Sequence, residues 1–195
     1  MLICIEEVLM MKQNFGKQTF MYPMPVLIVA TYDENGKPNA MNAAWGGIHD
    51  TNQIGICLDA SHKTVKNMLK TKAFTVSMAD AEHVVACDYV GIASGNNVED
   101  KMEKAGFTVT KSEFVNAPVI NELPMCLECE IVSFDENSGY TVANILNVSA
   151  DEKVLTDGKI DPAKLNPITY DPVNHNYIKL GEIAGKAFSD GKKLM

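Results

Sequence analysis

The chain of 195 residues contains no arginine, all 17 of its basic residues being lysine. Any phosphate group must therefore be held by lysine point charges, hydroxyls and backbone N–H groups, without a bidentate guanidinium fork. Positive charge is not in excess either: 25 acidic residues leave a formal net charge of −8, which excludes a nucleic-acid-tracking surface and a general affinity for anionic membranes. The sequence has no Gly-x-Gly-x-x-Gly run after a strand, and so no Rossmann-type dinucleotide domain is expected. His49, His62, His83 and His175 show no paired spacing, and no metal site is expected. The five cysteines (Cys4, Cys57, Cys87, Cys126, Cys129) are odd in number and sit in apolar segments, a pattern of reduced, buried thiols in a cytoplasm. Cys126 and Cys129 form a Cys-x-x-Cys, but strand alternation turns residues three apart to opposite faces, so the sulfurs are expected to diverge. The first eleven residues, MLICIEEVLMM, have no basic start and carry Glu6 and Glu7. They fit neither a secretory signal nor a membrane span, and are read as an N-terminal extension with Met11 as an alternative start.

What remains is a chain with 46% hydrophobic residues, enough for one substantial core, and residues 12–195 are read as a single domain. The run PVLIVATY (25–32) reads as a buried strand, and the Asn35-Gly36 pair in DENGKP marks a tight hairpin turn. The returning strand, NAMNAAWGG (39–47), is made of small residues around Trp45 and offers a bare backbone to close approach. Further strands are expected over 53–60 and 73–79, helices over 62–72, 80–91 and 97–106, and a long hairpin over 125–134 and 140–150. The proline-rich tail is expected to wrap the surface and end in a short strand near 177–180. Strands joined by hairpins rather than helical crossovers indicate a mainly β protein with helical inserts, an antiparallel barrel or sandwich.

One joint stands out. In GICLDASHKTVKNML (55–69) a buried strand runs into an amphipathic helix, with Ser61, His62, Lys63 and Thr64 at the junction. A lysine in a first helical turn faces the positive end of the dipole, which is unfavourable unless an anion is near. Ser61 is placed to cap the helix. Free N–H groups, the hydroxyls of Ser61 and Thr64 and the Lys63 ammonium together make a phosphate cradle that needs no arginine.

These segments also carry a resemblance. Met24-Pro25, DENGKPNAMNAAWGG, LDASHKT, AEHVVACDYVG and EFVNAPVINELPMCLECEI occur in the order of the flavin reductase-like, FMN-binding split-barrel family, particularly its flavoredoxin-like branch, over roughly 15–188. The resemblance implies a Greek-key-like antiparallel split β-barrel, a homodimer, and one FMN per subunit. It implies that Asn42, Ala43, Ala44 and Trp45 lie along the flavin ring and ribityl chain, that Leu58 packs near the ring, and that Ser61, His62, Lys63 and Thr64 hold the phosphate. Cys87, Asp88 and Tyr89 match the helical insert bordering the flavin cleft. The implied chemistry is the cofactor's own: no catalytic side chain is required, NADH or NADPH donates hydride to FMN, and the electrons pass to a small acceptor or a redox protein. The rival expectation is an electron carrier without appreciable NAD(P)H oxidation.

Overall fold

A computed structural model describes residues 12–195; the extension expected over residues 1–11, with Cys4, lies outside the described residues. In chain order the strands are β1 (Met24–Pro25), β2 (Leu27–Tyr32), β3 (Pro38–Ala43), β4 (Gly46–Asp50), β5 (Gln53–Cys57) and β6 (Ala73–Met78). They continue as β7 (Val109–Lys111), β8 (Pro118–Ile120), β9 (Met125–Phe134), β10 (Tyr140–Ala150), β11 (Leu155–Thr156), β12 (Lys159–Ile160), β13 (Ile168–Asp171) and β14 (Asn176–Lys179). Four helices interrupt them: α1 (Lys63–Thr71), α2 (Val84–Ile92), α3 (Lys101–Lys104) and α4 (Pro162–Leu165).

Seven strands form one antiparallel sheet in the order β3-β2-β6-β9-β10-β5-β4. The two edges, β3 and β4, are consecutive in the chain and separated only by Ala44 and Trp45. Three Cα–Cα steps span at most about 11 Å, so the sheet has to curl until its edges nearly meet. The result is a curled antiparallel half-barrel, the split-barrel architecture expected from the sequence. One strand expected over 39–47 is thus two: the chain leaves one edge at Ala43 and joins the other at Gly46. Gly46 suits this seam, because a Cβ there would stand 3.0 Å from Ile56 Cγ1 and 3.1 Å from Leu27 Cδ1.

Both faces of the central strands are buried, which is why they read as unbroken apolar runs. Leu27 and Val29 of β2 point into the curl, where they meet Ile54, Ile56, Phe74, Val76 and Leu127. Val26, Ile28 and Ala30 point outward against Cys87, Val90, Met102, Phe107 and Ile120. Helix α1 adds the fully buried Val65 and Met68 to the inner cluster, as its amphipathic spacing requires. Cys129 joins Leu127 in that cluster, whereas Cys126 lies on the opposite face of β9. Burial pushes their thiols up to about 12 and about 11.

The β2–β3 turn is wider than a two-residue Asn-Gly hairpin. Asp33 N–H donates to the Lys37 carbonyl at 2.9 Å, and the Asp33 carboxylate accepts from the N–H groups of Asn35 and Lys37, both at 2.9 Å. An Asx-type side-chain clamp has replaced the tight turn. The β7–β8 hairpin and β13 had no clear periodic signal. β13 pairs with β1 and β14 in a separate small sheet, and Thr169 Oγ1 of β13 donates to the Met24 carbonyl at 2.7 Å.

Candidate functional site

Strand β5 ends at Cys57, and the chain turns through residues 58–62 into α1. Leu58 N–H donates to the Gly139 carbonyl at 2.9 Å. Gly139 itself has φ +69°, and a Cβ there would stand 2.3 Å from the Leu58 carbonyl oxygen, so only glycine lets the β9–β10 turn support the joint. Asp59 organises the next step: its carboxylate accepts from Ser61 N–H at 2.7 Å, and its carbonyl accepts from His62 N–H at 3.1 Å.

The expected cap at Ser61 is corrected here. His62, in extended conformation (φ −67°, ψ 141°), occupies the N-cap position and its side chain makes no cap bond. Ser61 lies one residue further out, and its hydrogen bonds go to Asp59, whose carboxyl they hold below its usual range. Among the described residues, the N–H groups of Lys63, Thr64 and Val65 have no acceptor, and the first turn has no acidic residue. Three orphan donors thus lie at the positive end of a nine-residue helix, where negative charge is favoured.

A cavity of about 180 Å³ opens over this helix end, walled by β3, the start of α1, the end of α2 and its following loop, and α3. It brings together Asn42, His62, Lys63 and Thr64 of the expected site, with Asn39 and Lys101 in addition. Asn39 Nδ2 donates to Thr64 Oγ1 at 2.7 Å, which occupies a lone pair of the hydroxyl and leaves its proton for another acceptor. The partner of Lys63 is Asp33, whose carboxylate stands 3.6 Å from Nζ. Desolvation raises the Asp33 carboxyl, but the Lys37 and Asn35 N–H groups and the Lys63 ammonium outweigh it and hold the group below its usual range.

Lys101 is the residue that sequence reasoning missed. Only 4% of it is exposed, it lines the cavity, and among the described residues no salt bridge or hydrogen bond meets its ammonium. Burial pulls its ammonium down to about 8. The segment NVEDKMEKAG reads as a helix over 97–106, of which only Lys101–Lys104 is helical, and nothing in it separates Lys101 from the exposed Lys104.

The remaining expected residues fall elsewhere. Ala43 and Leu58 turn their side chains into the inner core and offer a ligand only their backbone. Ala44 and Trp45 line a second, larger hollow of about 530 Å³ with Cys57, Tyr140, Phe20 and Met21, and Trp45 is 58% exposed there. Tyr140 lies across Gly55, where a Cβ would stand 2.2 Å from its hydroxyl, and that hydroxyl meets His49 Nδ1 at 2.9 Å. The stretch 42–45 therefore runs from the first hollow to the second.

Cys87, Asp88 and Tyr89 lie on α2 and line neither hollow. Asn42 Nδ2 donates to the Cys87 carbonyl at 3.2 Å and to Tyr177 Oη at 3.4 Å, and Tyr177 donates to Asp88 at 2.7 Å. This network ties β3 to α2 and β14. Burial, with the Asp80 charge second, pushes the Cys87 thiol up to about 12, so it is no thiolate nucleophile. Tyr89 packs against the outer core.

Comparison with known proteins agrees with this geometry. The flavin reductase like domain matches residues 19–171. An uncharacterized protein of Archaeoglobus fulgidus is 30% identical over 146 residues, covering 73% of this chain and 80% of its own. Among solved structures, flavoredoxin of Desulfovibrio vulgaris (Miyazaki F) is 36% identical, covers 93% of this chain and all of its own, with a TM-score of 0.89. Flavoredoxin from Methanosarcina acetivorans is 29% identical and covers 95% of this chain and 100% of its own, with a TM-score of 0.86. With a matched domain over most of its length and the curled half-barrel on the page, the chain belongs to the flavin reductase-like split-barrel family.

Proposed function

We propose that this protein is an FMN-binding oxidoreductase that takes hydride from NADH or NADPH and passes electrons to a flavin, an iron chelate or a protein acceptor. The observation that carries the reading is the uncapped start of α1, with Lys63, Thr64 and Lys101 around it and no carboxylate lining the cavity. That donor set is the one a phosphate monoester needs in a chain without arginine. FMN bound there supplies a hydride acceptor at N5 and releases electrons singly or in pairs. The protein's part is to bind and orient. The α1 N–H groups, Thr64 and the lysines hold the phosphate. The bare backbone of Asn42, Ala43, Ala44 and Trp45 lets a flat polar ring approach, and the hollow beside Trp45 gives a nicotinamide or small acceptor access to it. His62 stands at the same helix end, and Ser61 at its rim, where the Asn96 side chain reaches its carbonyl at 3.3 Å.

The same reading makes the protein a cytoplasmic homodimer. Exposed Trp45, Ile48, Val132, Leu146 and Val148 leave apolar surface for a second copy to cover, and three buried free thiols suit a reducing compartment. No helix among the described residues is long and apolar enough to cross a membrane. Likeness to two flavoredoxins over nearly the whole chain favours one alternative, a carrier that receives electrons from a protein and oxidises NAD(P)H negligibly. The two readings separate on anaerobic mixing: FMN-loaded protein should bleach with NADH or NADPH faster than free FMN does. Equal rates overturn the reductase and leave the carrier. A chromophore that mass spectrometry shows is not FMN overturns both.

A further inference from the structure

We infer that residues 180–195 are an exchanged arm: in a pair of copies, each lays Ile183 and Phe188 in the other's hollow beside Trp45, so that each hollow is walled by both chains. The inference rests on the homodimer reading above and names what the second copy contributes.

The root of the arm is fixed and its tip is free of its own chain. β14 pairs with β13, and Tyr177 of β14 donates to Asp88 of α2 at 2.7 Å, which sets the direction in which the backbone leaves Lys179. From there to Met195 every residue is exposed. Every hydrogen bond of residues 181–195 stays inside the segment, and a Cβ at Gly181 or Gly191 would meet nothing within 4 Å. The tip still has a defined shape. Lys186 N–H donates to the Asp190 carboxylate at 2.8 Å, Asp190 N–H donates back to the Lys186 carbonyl at 3.1 Å, and a 3-10 turn follows over Asp190–Leu194.

Its composition is not that of a solvated tail. Leu180, Ile183, Phe188, Leu194 and Met195 are all outward, with Ile183 92% and Phe188 99% exposed. Segments that stay in water are poor in such side chains, and a turn that presents Phe188 to solvent recovers the entropy of its ordering only against another surface.

A matching surface lies on the same protein. The hollow of about 530 Å³ is lined by Phe20, Met21, Trp45, Ile48 and Tyr140 among others, by no charged side chain, and by no residue of the arm of its own chain. It has room for an aliphatic and an aromatic side chain together. Ile48 belongs both to this hollow and to the apolar surface, with Val132, Leu146 and Val148, that the homodimer reading gives to a second copy. Charge permits the contact: the arm carries Lys186, Lys192 and Lys193 against Glu182 and Asp190, and the chain that receives it has a net charge of −8. Because arm and hollow are present on every copy, a reciprocal exchange closes at two.

Trp45 is the single tryptophan of the chain, so its emission reads the hollow alone. Phe188→Ser in the full-length chain should move that emission to longer wavelength. It should also weaken the dimer by at least about 100-fold in sedimentation equilibrium, since two buried rings are lost per pair. Val85→Ser, which removes an apolar side chain 81% exposed on α2, should change neither. The decisive step is mixing. Full-length Trp45→Phe, with an intact arm and no tryptophan, added in excess to Phe188→Ser should return the Trp45 emission to its wild-type position, because the arm then comes from the other copy. Absence of that return overturns the inference, whether or not the dimer persists. Unchanged emission in Phe188→Ser also overturns it and leaves the homodimer standing. A wild-type chain that sediments as a monomer overturns the homodimer and the exchanged arm together.

Discussion

Raising the pH should strengthen the apoprotein while weakening its hold on FMN, and Lys101 sets the window. Its ammonium is pulled by burial from the ordinary 10.5 to about 8. Below pH 8 the lysine is charged in both folded and unfolded chains, and the folded state bears the whole burial penalty. Between 8 and 10.5 the unfolded chain holds more proton than the folded one, so stability rises with pH. The full difference is roughly 3 kcal/mol, reduced to ~1–2 kcal/mol by solvent entering the open cavity. Binding runs the other way. A phosphate beside Lys101 favours its charged form, so FMN binding takes up a proton above pH 8, and affinity should fall by up to about tenfold per pH unit from there. His62 and Lys63 are the other titratable groups lining the cavity, with Asp33 behind Lys63. β3 and the α2 end contribute only uncharged residues to it. The assay is fluorescence titration at pH 7.5, 8.5 and 9.5 with FMN and riboflavin in parallel, because riboflavin carries the same ring and cancels ring ionisation. Thermal melts of the apoprotein at the same pH values complete it. An FMN-to-riboflavin affinity ratio that stays constant from pH 7.5 to 9.5 refutes the reasoning.

Other perturbations test other parts of the structure. Lys63→Glu, which sets a second carboxylate beside Asp33 at the helix start, should weaken FMN by about 100-fold or more with the circular dichroism spectrum intact; unchanged affinity would remove the phosphate from this end of α1. Gly55→Val forces the Tyr140 hydroxyl, 2.2 Å from where a Cβ would be, out of its slot and away from His49, and urea unfolding should show a loss of roughly 1–3 kcal/mol. Met68→Ala, at a fully buried position in the inner core, should lose about 2–5 kcal/mol in the same measurement. Light scattering of the FMN-loaded protein should give twice the chain mass, and a monomer would contradict the homodimer.

The strands with strict patterning are legible in the sequence: β2, β6 and the β9–β10 hairpin fall where their apolar runs and turn residues put them. Val65 and Met68 face the core as helical spacing required. The break at Ala44–Trp45 was not legible, because two small-residue strands in succession look like one; only closure of the sheet separates them. Ser61 misled for a related reason. A serine before a helix satisfies the local rule for a cap, but Asp59 reaches it first and shifts the helix start by one residue. Of the residues around the α1 cavity, the cluster at the joint is legible because its donors are contiguous. Lys101 is not, since it arrives from forty residues downstream through the packing of α3 on β3.

The two-residue link between the sheet edges has a mechanical meaning. No backbone ladder joins β3 to β4, so the barrel has a seam, and the seam is stapled at one point by a chain too short to stretch. Widening the aperture by sliding one edge past the other would have to break the Cys57 N–H bond to the Trp45 carbonyl at 2.8 Å. The link follows Asn42 and carries Trp45, so it fixes the separation between the cavity at the start of α1 and the hollow beside Trp45, and an insertion of even one residue between Ala43 and Gly46 would change that separation while leaving Asn39, Lys63 and Thr64 in place.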